Sequence, residues 1–350
     1  MLRVVRLLGG FALARRVTRQ QLRILCFHGF SVRQEYETAP YVFMRAATFR
    51  RRMEALRRLR IPVVSLEDGL DRLRQGRLND AETVITFDDG WTTNLTIGAP
   101  ILREFGYPAT VYITTEHLDC GPESFYMAVA RMVYESPKEF ATFEGIHPLL
   151  DGRYDLKGDP ASTAHQLVVA SSKVGPLRAQ YPLLRPIAAA LGIDFEAFFA
   201  DGRFRLLEAE QVRELAKTGM RVELHTHTHS LPEDSFESAA LEIENNRSAI
   251  TQLTGTVPRH FCYPSGQYFQ KHPEWLARLG IASATTCDPG LNGPQAPLLL
   301  LRRHLDSEFY SDLEFEAEIV GLFELMRRAR ARLLKQAPPP AGSAATAHTG

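Results

Sequence analysis

The stretch Thr83-Val84-Ile85-Thr86-Phe87-Asp88-Asp89-Gly90 decides the fold of this chain. Its first five residues are apolar or β-branched, which is the composition of a buried strand. Gly90 permits a sharp turn that exposes the two carboxylates at the strand end. Adjacent side chains of an extended segment point apart, so one aspartate can bind a metal ion while the other accepts a proton from a water molecule.

A histidine cluster, His225-Thr226-His227-Thr228-His229, follows a second strand-like run. Residues four apart share a face in a helix and in a strand, and His227 joins that face if the segment stays extended. Imidazole and carboxylate groups are the ligands that suit zinc and neighbouring divalent metals. The pattern therefore predicts a metal site but leaves three histidines as candidate ligands.

Short apolar runs alternate along the chain with amphipathic ones, which is typical of α/β units around a parallel sheet. Eight runs are enough to close a barrel, so the sequence predicts a distorted (β/α) barrel of seven or eight strands with its site at the strand carboxyl ends. The predicted strands are Leu22–Phe27, Pro62–Leu66, Thr83–Phe87, Ala109–Ile113, Arg221–Leu224, His260–Tyr263, Ala282–Thr286 and Leu298–Arg302.

The predicted barrel extends over residues 20–310 and contains an insertion. From about residue 116 to 205 the strand rhythm stops, and prolines break several helical pieces. We expect this helical insertion to overhang the site and shape the substrate. An amphipathic helix is predicted over 312–335, and the Pro-, Ala- and Gly-rich tail over 336–350 is expected to be disordered.

Composition narrows the class of partner. Lys plus Arg and Asp plus Glu are equal at 41 each, so no basic excess favours nucleic acid. The four cysteines form no C-x-x-C pair, which favours a reduced compartment and a cytoplasmic location. The apolar run over 7–14 is too short for an ordinary signal core, but with its flanking arginines it can rest on a membrane surface, so a location peripheral to the inner membrane stays open.

The two motifs resemble those of a known family, the polysaccharide deacetylases of carbohydrate esterase family four, which share a NodB-like domain. Thr86-Phe87-Asp88-Asp89-Gly90 is similar to the first motif of the family, and His225-Thr226-His227-Thr228-His229 to its H-[ST]-x-x-H second motif. The resemblance implies that Asp88 is the catalytic base. It also implies that Asp89, His225 and His229 bind the metal, with His227 at a variable position.

Phe261-Cys262-Tyr263-Pro264-Ser265-Gly266 resembles the third motif, which forms a groove wall and supplies a backbone N–H to the oxyanion. This implies oxyanion or groove roles for Tyr263 and Pro264. Most members have an arginine in place of Cys262, where it orients the catalytic aspartate. Arg303 is our candidate substitute and a further candidate for the groove.

The general acid is expected near the start of the chain. Leu25-Cys26-Phe27-His28 resembles the acid-bearing strand of the permuted branch of the family, which acts on exopolysaccharides. His28 is therefore the candidate that protonates the departing amine. His304 is the competing candidate.

The resemblance implies a metal-dependent hydrolase that removes N-acetyl groups from amino sugars. Zinc is the expected metal, and cobalt, nickel, manganese and iron accept the same ligands. The implied substrate is a glycan or a lipid-linked or nucleotide-linked precursor. Two alternatives remain open at this point, a deformylase or amidase acting on another amide and an inactive carbohydrate-binding homologue.

Overall fold

The computed structural model describes residues 1–333, which form two compact units. The larger contains residues 1–114 and 210–333, and the smaller contains residues 115–209. The predicted tail over 336–350 and the last two residues of the predicted C-terminal helix lie outside the described residues. Within residues 1–333, no helix is both long enough and apolar enough to cross a membrane.

A seven-stranded parallel sheet forms the centre of the larger unit, in the order β6-β5-β4-β3-β2-β1-β7. Because every strand is parallel to its neighbour, the carboxyl ends of all seven lie at one edge. The strands are β1 Arg23–Phe27, β2 Thr83–Phe87, β3 Thr110–Ile113, β4 Arg221–Leu224, β5 His260–Cys262, β6 Ser283–Thr285 and β7 His304–Leu305.

The segment after β6 joins the two edges of this sheet. Leu301 forms a parallel bridge with Thr285 of β6, and its N–H donates to the Ala284 carbonyl at 2.8 Å. Three residues later His304 pairs with Leu25 of β1. The predicted distorted (β/α) barrel is thereby confirmed.

Six of the eight predicted strands form ladders in the sheet, and two do not. In Pro62–Leu66 only Val63 makes a bridge, because the Ser65 side chain accepts from the Asp68 N–H and caps a helix that starts at Leu66. In Leu298–Arg302 only Leu301 makes a bridge, and the ladder forms further along the chain at β7.

The helices of the larger unit follow the apolar periodicity of the sequence. Phe49, Met53 and Leu56 are buried at steps of four and three on the helix Ala46–Arg58. The helix Phe236–Thr254 ends at Gly255 with a φ of 70°, as predicted. The α-helices are Leu2–Leu7, Gly10–Thr18, Glu35–Thr38, Ala46–Arg58, Leu66–Arg74, Ala99–Phe105, Ala209–Lys217 (whose first residue belongs to the smaller unit), Phe236–Thr254, His272–Arg278, Asp312–Ile319 and Leu322–Leu333. A π-helix, Asn94–Gly98, directly precedes Ala99–Phe105.

The helix predicted over 312–335 is interrupted. It forms as Asp312–Ile319 and Leu322–Leu333, and Gly321 between them has a φ of 81°. A Cβ at Gly321 would overlap the Thr18 side chain, so the close approach of that side chain requires glycine here. Buried Arg23 donates to the Ile319 carbonyl at 3.0 Å and satisfies an acceptor at the end of the first helix.

The smaller unit contains helices and one β-hairpin. The α-helices are Phe125–Glu135, Pro160–Ser172, Leu177–Gln180, Leu184–Leu191 and Phe195–Phe199, and the hairpin pairs Phe140–Phe143 with Gly152–Asp155. The hairpin was not expected, although Phe140–Phe143 alternates exposed and buried residues as a half-buried strand does. The role of this segment in shaping the substrate stays a prediction.

Candidate metal centre

Asp88 and Asp89 leave the end of β2 in different directions. Asp89 has a φ of 72° and Gly90 a φ of 83°, so the backbone reverses sharply at the strand end. A Cβ at Gly90 would lie 2.8 Å from Cγ2 of Ile113, which leaves room only for glycine. The turn directs the Asp89 carboxylate to the histidine cluster, whereas the Asp88 carboxylate faces Arg303.

Three ligand atoms converge beside this turn. Oδ1 of Asp89 lies 3.3 Å from Nε2 of His225 and 3.4 Å from Nε2 of His229. The three donor groups lie within 4.8 Å of one another, so a single divalent ion can contact one atom of each. One carboxylate and two imidazoles are a donor set that zinc accepts, with positions left for water or substrate. The residues present therefore fit a metal.

His225 is held by its other ring nitrogen and by its backbone. Nδ1 lies 2.8 Å from the Cys262 carbonyl, which fixes the tautomer with Nδ1 protonated and leaves the Nε2 lone pair for a metal. The buried Asn246 side chain accepts from the His225 N–H at 2.9 Å and donates to the Ile113 carbonyl at 3.0 Å. Asn246 thus links the ends of β3 and β4.

The histidine loop is neither a helix nor a strand. Thr226 and His229 have φ values of 65° and 63°, so the chain turns twice in the left-handed region between β4 and His229. Glu242 accepts from the N–H groups of His227 and Thr228 at 3.0 and 2.9 Å and stabilises that turn. Sparsely populated backbone conformations of this kind cost about 1–3 kcal/mol each and cluster at functional sites.

Asp88 pairs with Arg303. The two guanidinium nitrogens Nη1 and Nη2 donate to Oδ1 and Oδ2 at 2.7 Å each. Both side chains are buried, and Arg303 also donates to the Thr286 carbonyl at 2.8 Å. Burial by itself raises the pKa of the Asp88 carboxyl, but Arg303 outweighs burial and holds that pKa well below its usual range. Asp88 is therefore an ionised acceptor.

Thiols fill the space around this ion pair. Cys26 and Cys262 donate to Oδ2 of Asp88 at 3.4 and 3.3 Å, and Nη2 of Arg303 lies 3.1 Å from the Cys262 sulfur. Burial raises the pKa of both thiols well above the usual value for cysteine. They remain protonated, so they act as weak donors to the carboxylate and not as nucleophiles.

His28 lies at the same edge of the sheet, one residue beyond β1. Its Nε2 lies 3.9 Å from Oδ2 of Asp88, and about a sixth of its side chain is exposed. The competing candidate, His304, lies elsewhere, because its ring packs 5.6 Å from Tyr310 and 6.5 Å from Phe315 of the helix Asp312–Ile319. Of these two histidines, His28 is the one that the fold places beside Asp88.

Two of the predicted groove roles need correction. The Tyr263 N–H donates to the Thr285 carbonyl at 3.1 Å, so this donor extends the sheet and does not point at an oxyanion. Arg303 is fully buried against Asp88, which excludes it from the lining of a groove. Pro264 begins the turn Pro264–Gly266 directly after β5 and is itself buried.

Sequence reasoning missed three side chains that support the site. Asn246 holds His225, Trp91 donates from Nε1 to Oδ2 of Asp89 at 3.0 Å, and Cys26 contacts Asp88. Cys26 precedes His28 by two residues, and residues two apart share a face of an extended segment. This spacing could have placed Cys26 on the same face as His28. Asn246 lies on a helix 21 residues after His225, and no spacing rule connects it with the site.

Comparisons with solved structures reveal the same fold in other proteins. The chain aligns with the deacetylase PplD of Streptococcus pyogenes in complex with acetate at 17% identity and a TM-score of 0.56, covering 87% of this chain and 98% of that one. It aligns with IcaB from Ammonifex degensii at 16% identity and a TM-score of 0.53, covering 86% and 97%. BC0361, a polysaccharide deacetylase from Bacillus cereus, matches at 15% identity and a TM-score of 0.53, covering 85% and 69%. At these identities the likeness shows a shared fold.

Comparison with curated protein sequences gave no match. A family model described as polysaccharide deacetylase, in contrast, matches residues 75–142 and 175–284, which is slightly more than half of the chain. The first segment contains both aspartates, and the second contains the histidine loop and Cys262. The expected membership is confirmed, and this chain belongs to the polysaccharide deacetylase family, whose name implies hydrolysis of a carbon–nitrogen amide bond.

Proposed function

We propose that this protein is a metal-dependent deacetylase that removes N-acetyl groups from the amino sugars of a glycan or a glycan precursor. The observation that carries the proposal is the division of labour between two adjacent carboxylates. Asp89 faces two imidazole nitrogens at 3.3 and 3.4 Å, whereas Asp88 faces a guanidinium. A hydrolase that activates water needs one carboxylate of each kind.

Asp89, His225 and His229 would hold the metal. Zinc is the proposed ion, and cobalt, nickel, manganese and iron suit the same donor set. When bound, the ion polarises the amide carbonyl and makes a water molecule more acidic. The Nδ1 contact of His225 with the Cys262 carbonyl keeps Nε2 free for this task before any metal arrives.

Asp88 would act as the general base. Its carboxylate accepts the proton of the attacking water, and Arg303 holds it in one orientation through two hydrogen bonds. A bidentate pair fixes the plane of the carboxylate as well as its position. One oxygen therefore stays directed at the water as the reaction proceeds.

His28 would act as the general acid. Its ring lies beside Asp88 and is partly exposed, so it can reach the nitrogen of a substrate bound at the strand carboxyl ends. A proton donated by His28 converts that nitrogen into an amine as the carbon–nitrogen bond breaks. The products are acetate and a free amino sugar.

The family and the names of the similar structures support an acetylated glycan as the substrate. PplD was solved with acetate, which is the expected second product here. A lipid-linked or nucleotide-linked precursor suits the proposed cytoplasmic location, which the four free cysteines also support.

Acetate release tests the proposal directly. The purified protein should release acetate from a panel of N-acetylated amino sugars, lose this activity with a chelator, and regain it with added metal. Asp88→Asn should abolish turnover and retain metal, and Asp89→Asn should lose the metal. Asp71→Asn is the matched control, because the Asp71 side chain is about half exposed on the outer side of the helix Leu66–Arg74. Formate release from N-formyl substrates without acetate release would favour the deformylase alternative. No release with any metal would favour a binding homologue.

A further inference from the structure

Two short helices at the start of the chain, Leu2–Leu7 and Gly10–Thr18, are anchored by one side only. Phe11 and Ala14 are buried in an apolar cluster with Ala317 and Val320 of the C-terminal region. Leu2 and Val5 pack against the same cluster. Because the inner face of both helices meets this cluster, their other face points away from the larger unit.

That opposite face, which we call the N-terminal face, is apolar and exposed. Leu7 and Leu8 are 86% and 82% exposed, Leu13 is 63% exposed, and Val4 and Val17 are each 56% exposed. The pairs Val4 and Leu8, and Leu13 and Val17, are four residues apart and therefore adjacent on their helices. Exposed apolar residues are ordinary when single, but a contiguous group of them marks an interaction surface.

The charged side chains that the two N-terminal helices carry are all of one sign. Residues 1–34 contain arginines and no aspartate or glutamate, although the whole chain has no net charge. Arg6 pairs with Glu316 and Arg15 with Asp80, whereas Arg3, Arg16 and Arg19 are exposed beside the apolar side chains. Leucine and valine flanked by arginine is the composition of a helix that lies in the interface of an anionic bilayer.

We propose that the N-terminal face docks the protein on an anionic lipid surface. The apolar side chains would enter the boundary between headgroups and acyl chains, and Arg3, Arg16 and Arg19 would contact lipid phosphates. A second copy of the chain is the less favourable occupant, because a symmetric contact would bring the same arginines of both copies together. The proposal does not depend on the deacetylase reaction.

Vesicle flotation tests the docking surface. The full-length protein should float with vesicles of phosphatidylcholine and phosphatidylglycerol, bind weakly to phosphatidylcholine alone, and be released as salt rises. Leu13→Glu should reduce binding about tenfold or more, since it places a charge in the apolar boundary. Leu241→Glu is the matched control, because Leu241 is also 63% exposed but lies on another helix, Phe236–Thr254.

Arginine substitutions test the electrostatic part. Each of Arg3→Ala, Arg16→Ala and Arg19→Ala should weaken binding to the anionic vesicles about fivefold. Thermal unfolding and acetate release should stay unchanged, which separates this surface from the metal centre. Equal binding of Leu13→Glu and the native chain would overturn the proposal, as would failure of the native chain to bind anionic vesicles. A concentration-dependent dimer that Leu13→Glu dissociates would overturn it in favour of a second copy.

Discussion

The guanidinium of Arg303 meets the carboxylate of Asp88 through two hydrogen bonds of 2.7 Å, although the two residues are 215 positions apart in sequence. The pair is fully buried at the end of β2. In the motif that the sequence resembles, the corresponding cation is expected at position 262, on β5. Here it comes from the segment immediately before β7, and Cys262 fills the space beside it.

Arg303→Lys should impair both activity and stability. Lysine keeps the positive charge but cannot make two parallel hydrogen bonds, so Asp88 would lose its fixed plane. We expect kcat to fall at least about tenfold, and the free energy of unfolding to fall by roughly 1.5–3 kcal/mol, the range for a lost hydrogen bond to a charged group. Steady-state kinetics and chemical denaturation measure the two effects. Arg302→Lys, at the exposed neighbouring position, should change neither, and an unaltered Arg303→Lys enzyme would refute the orienting role.

The protein should tolerate an arginine at position 262 on β5 only if the arginine at position 303 is removed. Cys262→Arg alone adds a second guanidinium beside a buried carboxylate, which one carboxylate cannot balance. Cys262→Arg combined with Arg303→Ser restores one cation per carboxylate. We expect the double variant to melt at a higher temperature than Cys262→Arg and to be more active than Arg303→Ser.

A double-mutant cycle gives the coupling energy between positions 262 and 303. Residues in direct contact typically couple by about 0.5–3 kcal/mol, and a favourable value is expected here. Strictly additive effects would mean that the two positions do not share one function.

His28→Gln should impair amide hydrolysis more than ester hydrolysis. An amine must be protonated as it leaves, whereas 4-nitrophenolate leaves without a proton. Loss of the acid should therefore reduce acetate release from an N-acetylated sugar by about a hundredfold or more, and affect 4-nitrophenyl acetate far less. His304→Gln is the control, because His304 packs against Phe315. Equal losses on both substrates would point to a structural role of His28.

Asn246→Ala should weaken metal binding without removing a metal ligand. The Asn246 side chain accepts a hydrogen bond from the His225 N–H at 2.9 Å and thereby positions the imidazole. Loss of a group that orients a metal ligand typically reduces affinity about 10–100-fold. Competition with a chromogenic chelator measures the effect. Asn245→Ala, at the adjacent exposed position, should bind metal as the native chain does.

The sequence was sufficient to predict the barrel because its strands are apolar runs with clear ends. Thr83–Phe87 and Arg221–Leu224 form with the bounds that their composition indicates. The short strand His304–Leu305 was missed, because two residues carry no periodicity and the pairing with Leu25 is set by the rest of the barrel.

The site was harder to predict where it depends on tertiary contacts. The motif indicated Asp89, His225 and His229, but the spacing of the two histidines does not explain why they converge. The two histidines meet Asp89 through left-handed residues at Thr226 and His229, and not through a shared face of a helix or strand. The Tyr263 N–H illustrates the opposite case, since pairing with Thr285 could not be seen from the motif alone.

Position 262 supplies two contacts of different kinds. Its carbonyl accepts a hydrogen bond from the Nδ1–H of His225, and its side chain lies against Asp88 and Arg303. A carbonyl is present whatever the residue type, so the support of the metal ligand is independent of the side chain at this position. The orienting cation can therefore move from β5 to the segment before β7 without a change in the support of the metal ligand. The residues that orient the base and those that bind the metal can thus diverge separately.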